Sequence, residues 1–436
     1  MSVSVSVGVD GGAQSIEDMV RALRDAAHDE PVAGQRAAKQ GHSSLTASPV
    51  QSTVSGNVES ADAVAALNSK IESGKTLRHT VAFVTAVAIG FAGLVYGNKT
   101  YGPEMYADGG LNAAADAHAK GLNYEVFDLN LNVRALRDAQ LARMTKAPEV
   151  IIIGASHWQE ADKGLLNGMD FYNAHIHRDY WEDLPGMVEL LVRHDRLPKK
   201  LIVAIRDLQF TPAENRKDWL WEPGIPAYRA FTQRIGIDTE SWWKTAPWHR
   251  LQALISLPMF FENFTRWQQA LVRPGATSAN RSETMDMLMP DGSILWSKYK
   301  LDHLFTPERR KNEVKNFADS VLNKPLVIDN DGIEAWQSTF SFLKSKGVQV
   351  YLVNPPFNPE FYDQIAGTQY ATGLAKVEQL TQRFSRDFGF PIFGSFNPHE
   401  VGCTADQYKD AEHSNPSCLH NLFDQFLAVD KQMGDN

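Results

Sequence analysis

The first 76 residues contain no Trp, Phe or Tyr, although aromatic residues make up 10% of the whole chain. A segment without large aromatic side chains buries too little apolar surface to offset the entropy that it loses on ordering. We therefore expect residues 1–76 to be a largely disordered cytoplasmic tail. Two stretches of it, Ser15–Glu30 and Ala61–Ile71, show helical spacing of apolar residues, and they are either docking helices for a partner or parts of a tolerated tail.

The chain also lacks an excess of positive charge. Lys and Arg number 43 against 52 Asp and Glu, which gives a formal net charge of -9. A nucleic-acid-binding protein usually shows a basic face, so nucleic acid is not an expected partner. Phosphate-binding loops and dinucleotide fingerprints do not occur in the sequence, and no cofactor is predicted.

Charged residues are absent from Thr80–Gly97, which reads TVAFVTAVAIGFAGLVYG. Its eighteen residues would rise about 27 Å as a helix, close to the thickness of about 30 Å of a bilayer's hydrocarbon core. The run is apolar on all sides, and nothing aromatic precedes it to pack against. We expect a single transmembrane helix at residues 77–98.

Positive charge next to this segment predicts its orientation. Lys70, Lys75 and Arg78 precede the span, whereas only Lys99 follows it closely. Loops rich in Lys and Arg stay in the cytoplasm. The protein is thus expected in the inner (cytoplasmic) membrane, with its C-terminal domain periplasmic or extracellular.

Cysteine is scarce, since the chain holds only Cys403 and Cys418. A pair of cysteines in an oxidising compartment favours a disulfide, which would contribute about 3 kcal/mol in the chain-entropy model. Two free buried thiols are the alternative.

After a juxtamembrane connector at residues 99–146, apolar β-branched runs alternate with helical patterns over residues 147–436. This alternation is typical of an α/β fold with a parallel sheet. The predicted strands are 149–153, 200–205, 348–353 and 390–393, and the predicted helices are 184–196, 335–346 and 374–388.

An insertion at about 210–335 interrupts this alternation and is too long for a simple crossover. It holds seven of the ten Trp residues. We expect it to be helical, with its Trp side chains either lining a glycan-binding groove or, as large aromatics usually do, packing in the core. The tryptophans concerned include Trp219, Trp221, Trp242, Trp243 and Trp248.

Ser156 follows the first predicted strand within Gly154-Ala155-Ser156. Ligands of open parallel sheets bind beyond the carboxyl ends of the strands, so this turn would present the Ser156 hydroxyl in a crevice. A serine nucleophile needs a base that is oriented by an acid. Asp410 and His413, three residues apart after the last strand, can supply both.

The order of these motifs resembles the SGNH (GDSL-like) hydrolase superfamily, in which a first block carries the serine and Asp-x-x-His forms the last block. Phe127-Asp-Leu-Asn-Leu, Pro148-Glu-Val-Ile-Ile-Ile-Gly-Ala-Ser and Phe171-Tyr-Asn-Ala are similar to a membrane-anchored branch that acts in O-acylation of cell-envelope polymers. Teichoic-acid D-alanylation and alginate O-acetylation proteins belong to it. The resemblance covers residues 125–210 and 345–425 and implies a three-layer SGNH-like domain with a Ser156–His413–Asp410 triad.

The sequence departs from the family in its other blocks. Tyr172-Asn173-Ala174-His175 stands where a Gly is usual, and Arg206-Asp207 stands where Asn-Asp is usual. Asn173 is then the predicted oxyanion donor beside the Ser156 amide. The alternative is an SGNH-like fold whose chemistry is lost or altered.

His175 and His177 would face one side of a strand and could bind a metal ion. The sequence shows no third ligand, so no metal site is predicted.

The resemblance implies an O-acyltransferase, with O-acetyl as the expected group, that modifies an exported polysaccharide. Its acyl donor would be a multi-pass membrane O-acyltransferase, and its acceptor would be the polysaccharide. Two alternatives stay open: a carbohydrate esterase or deacetylase that uses the same triad with water, and a non-catalytic glycan-binding assembly subunit.

Overall fold

A computed structural model of the protein describes residues 58–101, 111–126, 132–212, 224–237, 260 and 275–434. The expectations for residues 1–57, for Phe127–Leu131 and for the five tryptophans named above lie outside these residues. The elements up to residue 204 are, in order, α1 (Val58–Tyr101), α2 (Asn112–Ala119), β1 (Asn123–Val126), α3 (Val133–Arg143), β2 (Val150–Ile153), β3 (Phe171–Asn173), α4 (Asp183–Arg193) and β4 (Lys200–Ala204). Those that follow are α5 (Ile225–Ile235), β5 (Ala276–Thr277), β6 (Asp286–Leu288), β7 (Ile294–Leu295), α6 (Lys298–His303), α7 (Pro307–Val321), α8 (Asn330–Ser345), β8 (Gln349–Asn354), α9 (Pro359–Gln364), α10 (Gln369–Phe388), β9 (Ile392–Gly394), α11 (Pro398–Val401) and α12 (Pro416–Gly434).

A five-stranded sheet with the order β3-β2-β4-β8-β9 forms the centre of the fold. All four neighbouring pairs are parallel. The four strands predicted from the sequence are confirmed with shifts of one or two residues at their ends, and the three predicted helices correspond to α4, α8 and α10. The protein is therefore a mixed α/β protein with a parallel sheet.

Side chains of the central strands alternate between two hydrophobic cores. Ile151 and Ile153 of β2 pack in one core with residues of α4, α8 and α10. Val150 and Ile152 pack in the other with residues of α12. Because each face of the sheet is covered by helices, its strands read as continuous apolar runs, which is why they could be identified from the sequence.

A second sheet, with the order β5-β1-β6-β7, is antiparallel and short-stranded. The expectation of a helical insertion at 210–335 is corrected here, since the described part of it holds β5, β6 and β7 beside helices. The segment expected to be a juxtamembrane connector, residues 99–146, contributes a strand to this sheet, because its strand β1 pairs with β5 and β6. Both sheets belong to one compact unit, Leu77–Asn436.

Among the described residues, one helical segment is long and apolar enough to cross a membrane, at Leu77–Asn98 within α1. Its 22 residues would rise about 33 Å, enough for the hydrocarbon core. Leu77, Phe83 and Ile89 are 64%, 69% and 68% exposed. Such exposure does not fit a helix in the core of a soluble domain, so length, composition and exposure all fit a membrane anchor.

Candidate active site

Ser156 lies directly after β2, at the carboxyl edge of the parallel sheet, where it begins a short 3₁₀ helix, Ser156–Trp158. The turn depends on Gly154. A Cβ added at Gly154 would lie 2.5 Å from the Ala204 Cβ atom of the neighbouring strand and 3.0 Å from the Trp158 ring. Only glycine permits this close approach, which sets the direction in which the chain leaves β2 and hence the position of Ser156.

His413 reaches Ser156 from the other end of the sequence. The Ser156 hydroxyl oxygen and His413 Nε2 are 2.8 Å apart, and His413 Nδ1 is 2.8 Å from Asp410 Oδ2. The second carboxylate oxygen of Asp410 accepts hydrogen bonds from the backbone amides of Glu412 and His413, each at 2.8 Å. The structure thus brings the three predicted residues together in the order serine, imidazole, carboxylate.

The segment that carries Asp410 and His413 is closed on itself. Tyr408 and Ser414 form an antiparallel bridge, and the Lys409 amide donates to the His413 carbonyl at 2.9 Å. A disulfide joins Cys403 and Cys418 on either side, with Cα atoms 5.3 Å apart, as predicted. These links restrict the segment and hold the imidazole toward Ser156.

Electrostatics within the pair favour an ionised carboxylate. Burial alone would raise the pKa of Asp410, but the charge and hydrogen bond of His413 and two backbone amides lower it below its usual value. Burial alone would lower the pKa of His413, but the Asp410 carboxylate outweighs it, so the pKa is raised above 6.5. Asp410 therefore orients the imidazole and stabilises its protonated form.

A buried group of polar side chains that no sequence motif marks as part of the site lies close to His413. The His157 ring is 5.8 Å from the His413 ring, and its Nε2 atom is 3.8 Å from Glu412 Oε1. Burial, followed by the charges of Arg206 and His413, lowers the pKa of His157 well below its ordinary value. His157 is therefore neutral at physiological pH.

Arg206 supplies the permanent positive charge of this group. Its Nε atom is 3.3 Å from Asp207 Oδ1, and Tyr370 donates a hydrogen bond to the other oxygen of Asp207. Burial raises the pKa of Glu412, and Arg206 opposes that rise. A motif search misses this group because its members come from four separate segments.

The prediction that Asn173 supplies an oxyanion donor is wrong in this structure. Both hydrogens of the Asn173 side-chain amide are donated to backbone carbonyls, those of Trp158 at 2.5 Å and Ala161 at 2.8 Å. The side chain is 0% exposed. Asn173 therefore fixes the chain that follows Ser156 and has no hydrogen left for a substrate oxygen.

His175 and His177 are not on a strand, since β3 ends at Asn173. The ring of His175 lies 3.0 Å from the Arg137 guanidinium and 3.2 Å from Asn173 Oδ1. The part of the chain that the structure describes has no group of three His, Cys, Asp or Glu residues that could hold a metal ion.

The arrangement has the geometry that a serine nucleophile with a general base requires. His413 Nε2 is placed to take the proton of the Ser156 hydroxyl as the oxygen attacks a carbonyl carbon, and to return it to a leaving group. Ser156 and His413 are partly exposed, so a substrate can reach them.

A comparison with models of known protein families gives no match to this chain, and a search of curated proteins gives no significant match.

Proposed function

We propose that the protein is a membrane-anchored O-acyltransferase that transfers an acetyl group to an exported polysaccharide. The hydrogen-bonded chain Ser156–His413–Asp410 carries the proposal, because it is the machinery that acyl transfer through a serine ester requires. The parallel sheet with helices on both faces is compatible with a three-layer SGNH-like domain, the fold that the resemblance implies.

The reaction would run in two halves. Ser156 Oγ attacks the acyl carbonyl carbon of the donor, its proton passes to His413 Nε2, and the donor's leaving oxygen or sulfur departs with that proton. A sugar hydroxyl then attacks the ester carbon, its proton passes to His413, and the Ser156 oxygen leaves and takes the proton back. No atom or electron is left over, and the products are the acylated sugar and free enzyme.

The anchor favours transfer over hydrolysis. Acetyl-coenzyme A is a cytoplasmic donor, so an enzyme on the outer side of the membrane must receive its acyl group from a membrane protein. A multi-pass membrane O-acyltransferase fits this role. The segment Leu77–Asn98 would keep Ser156 near that donor. An esterase, which uses water in place of a membrane-bound partner, would not need such an anchor.

The proposed topology places the N-terminus in the cytoplasm and the catalytic domain in the periplasm or outside the cell. Lys70, Lys75 and Arg78 support it through the positive-inside rule. The Cys403–Cys418 disulfide supports it independently, since disulfides persist in oxidising compartments. An alkaline phosphatase fusion after Ala147 should be active, and an inactive fusion together with an external reporter at residue 70 would contradict this topology.

The function is tested by the ester content of the cell-surface polysaccharide in a strain that carries Ser156→Ala. Reduced ester content with normal protein level supports transfer. Raised ester content would identify a deacetylase, and unchanged ester content with lost polymer export would identify an assembly subunit. Ser341→Ala is the matched control, since Ser341 is exposed on α8 and its hydroxyl bonds only to its own helix.

A further inference from the structure

A cavity of about 420 Å³ lies beside the segments that carry the triad. Ligand-binding cavities of proteins commonly measure about 300–1,000 Å³, so this one can hold a small ligand or one unit of a polymer. Glu160 and Gly164 line it, and both belong to the stretch of chain that follows Ser156. Lys409 and Asn415 also line it, on either side of Asp410 and His413 in sequence.

The antiparallel sheet supplies another part of the lining. Ile294 and Leu295 of β7 face the cavity, as does Trp296, which follows that strand. The link between this part of the lining and the triad segments is direct, because the Ile294 amide donates to the Gln159 carbonyl at 2.6 Å. The cavity is therefore built jointly by the triad segments of the parallel sheet and by the second sheet.

A buried polar cluster forms part of the cavity lining. Lys409 is only 7% exposed and is ion-paired with Glu160. The Trp296 indole N–H donates to Glu160 Oε1 at 2.7 Å, and the Lys409 ammonium lies 5.3 Å from the centre of the indole ring. The cluster thus offers an ammonium donor, a carboxylate acceptor and an aromatic surface close together.

Charges of both signs balance around the cavity. The cations Lys163, Arg281 and Lys409 face three carboxylates, those of Glu160, Asp162 and Asp291. A phosphate or sulfate would meet as many acidic as basic groups, and an acyl chain would meet the buried ion pair. A ligand rich in hydroxyl groups fits, because each hydroxyl both donates and accepts hydrogen bonds.

We propose that this cavity is an acceptor subsite that binds one sugar unit of the glycan, next to the unit that Ser156 acylates. This inference rests on the proposed function, since it names where the acceptor of that reaction is held. Glu160 and Lys409 would hydrogen-bond to sugar hydroxyls, and Leu295 and Trp296 would contact the apolar face of the ring. The second sheet would then determine which polymer the enzyme modifies.

The test uses saturation-transfer NMR to measure binding of methyl glycosides to the full chain in detergent. The glycosides are those of glucose, galactose, mannose and N-acetylglucosamine. At least one glycoside should bind to the unsubstituted protein. Leu295→Trp fills the cavity and Arg281→Ala removes a hydrogen-bond donor from its lining. Each should weaken binding about tenfold, the usual consequence of losing one well-placed contact.

Arg309→Ala is the matched control, because Arg309 is an exposed arginine on α7 that does not line the cavity. It should bind the glycosides as the unsubstituted protein does. Absence of binding by all four glycosides, or equal binding by both cavity variants and the control, would overturn the proposal. Arg281→Ala changes an exposed side chain and keeps the test valid if Leu295→Trp fails to fold.

The failure of this inference can be told apart from the failure of the proposed function. Ser156→Ala should retain glycoside binding while it loses acyl transfer. If the cavity variants lose glycoside binding but the unsubstituted protein shows no acyl transfer, the sugar subsite is supported and the proposed function is contradicted. If the protein transfers acyl groups through Ser156 but binds none of the glycosides, the proposed function is supported and the sugar subsite is contradicted.

Discussion

The two sheets of this protein differ in construction and in what they position. The parallel sheet is buried on both faces, and Ser156 follows one of its strands. The antiparallel sheet has strands of two to four residues and a smaller core, shared with α2 and α3. The parallel sheet thus positions the proposed chemistry, whereas the antiparallel sheet lines part of the cavity in which we place the acceptor. Chemistry and recognition would be separable by mutation.

His413→Ala should have the largest effect. Without the imidazole, Ser156 has no base, and acyl transfer or ester hydrolysis should fall by about 10³-fold or more. Asp410→Ala should also lower the rate strongly, but by less than His413→Ala, because the imidazole that acts as base is still present. The assay is the rate of ester turnover by the full chain in detergent, with Ser341→Ala as control. Turnover by His413→Ala near the control rate would exclude the triad.

Core substitutions should separate the two sheets by stability. Phe340 of α8 is 0% exposed in the core of the parallel sheet, and Phe340→Ala should lower the free energy of unfolding by about 3–5 kcal/mol. Leu288 of β6 is 6% exposed in the small core, and Leu288→Ala should cost about 2–3 kcal/mol, the lower end of the range for such changes. Thermal unfolding by circular dichroism measures both. A larger loss of unfolding free energy for Leu288→Ala than for Phe340→Ala would contradict the view that the core of the parallel sheet contributes more to stability.

Loss of the disulfide should act mainly on the triad segment. Cys403 and Cys418 are 15 residues apart, and a loop of this length gives about 3 kcal/mol in the chain-entropy model. The double variant Cys403→Ser with Cys418→Ser should unfold at lower temperature and turn over esters more slowly, since Asp410 and His413 lie within the loop. Treatment with a reducing agent should reproduce both effects in the unsubstituted protein. The reducing agent should change neither the unfolding temperature nor the ester turnover of the double variant. A change in that variant would show that the reducing agent does not act through the Cys403–Cys418 disulfide.

The pH dependence of the rate should show a smaller effect. His413 acts as base only when neutral, and Asp410 raises its pKa above 6.5. The rate should therefore rise with pH through a midpoint above 6.5. Asp410→Asn removes the negative charge, so the midpoint should move to lower pH while the maximal rate falls. A plot of kcat/KM against pH checks both, and a midpoint that stays in place or moves upward would contradict the assignment.

Local patterns in the sequence were enough to predict the parallel sheet, and the order of two short motifs, together with a family resemblance, pointed to Ser156, Asp410 and His413, which the structure brings together. Buried strands such as Val150–Ile153 are continuous apolar runs, and Ser156 was placed by the end of that strand. Asp410 and His413 were placed by their Asp-x-x-His spacing near the C-terminus. The antiparallel sheet was missed for two reasons. Its strand β1 pairs with strands that lie about 150 residues further along the chain, and a strand of two residues such as β5 is too short to show an alternation of apolar and polar side chains.

The oxyanion assignment failed for a different reason. Whether an amide such as that of Asn173 faces a substrate or the backbone depends on neighbours that a motif does not specify. The buried group around His157 and Arg206 escaped prediction for the same reason, since its members are close only in the folded chain.

Covalent labelling of Ser156 shows whether His413 activates its hydroxyl. A fluorophosphonate reagent reacts with a serine whose proton is taken by a neighbouring base, and mass spectrometry of the digested full chain locates the adduct. The adduct is predicted on the peptide that contains Ser156, absent from Ser156→Ala and strongly slowed in His413→Ala. A folded, unsubstituted protein that carries no adduct on Ser156, or that is labelled equally fast in His413→Ala, would contradict the assignment of Ser156 as a nucleophile activated by His413.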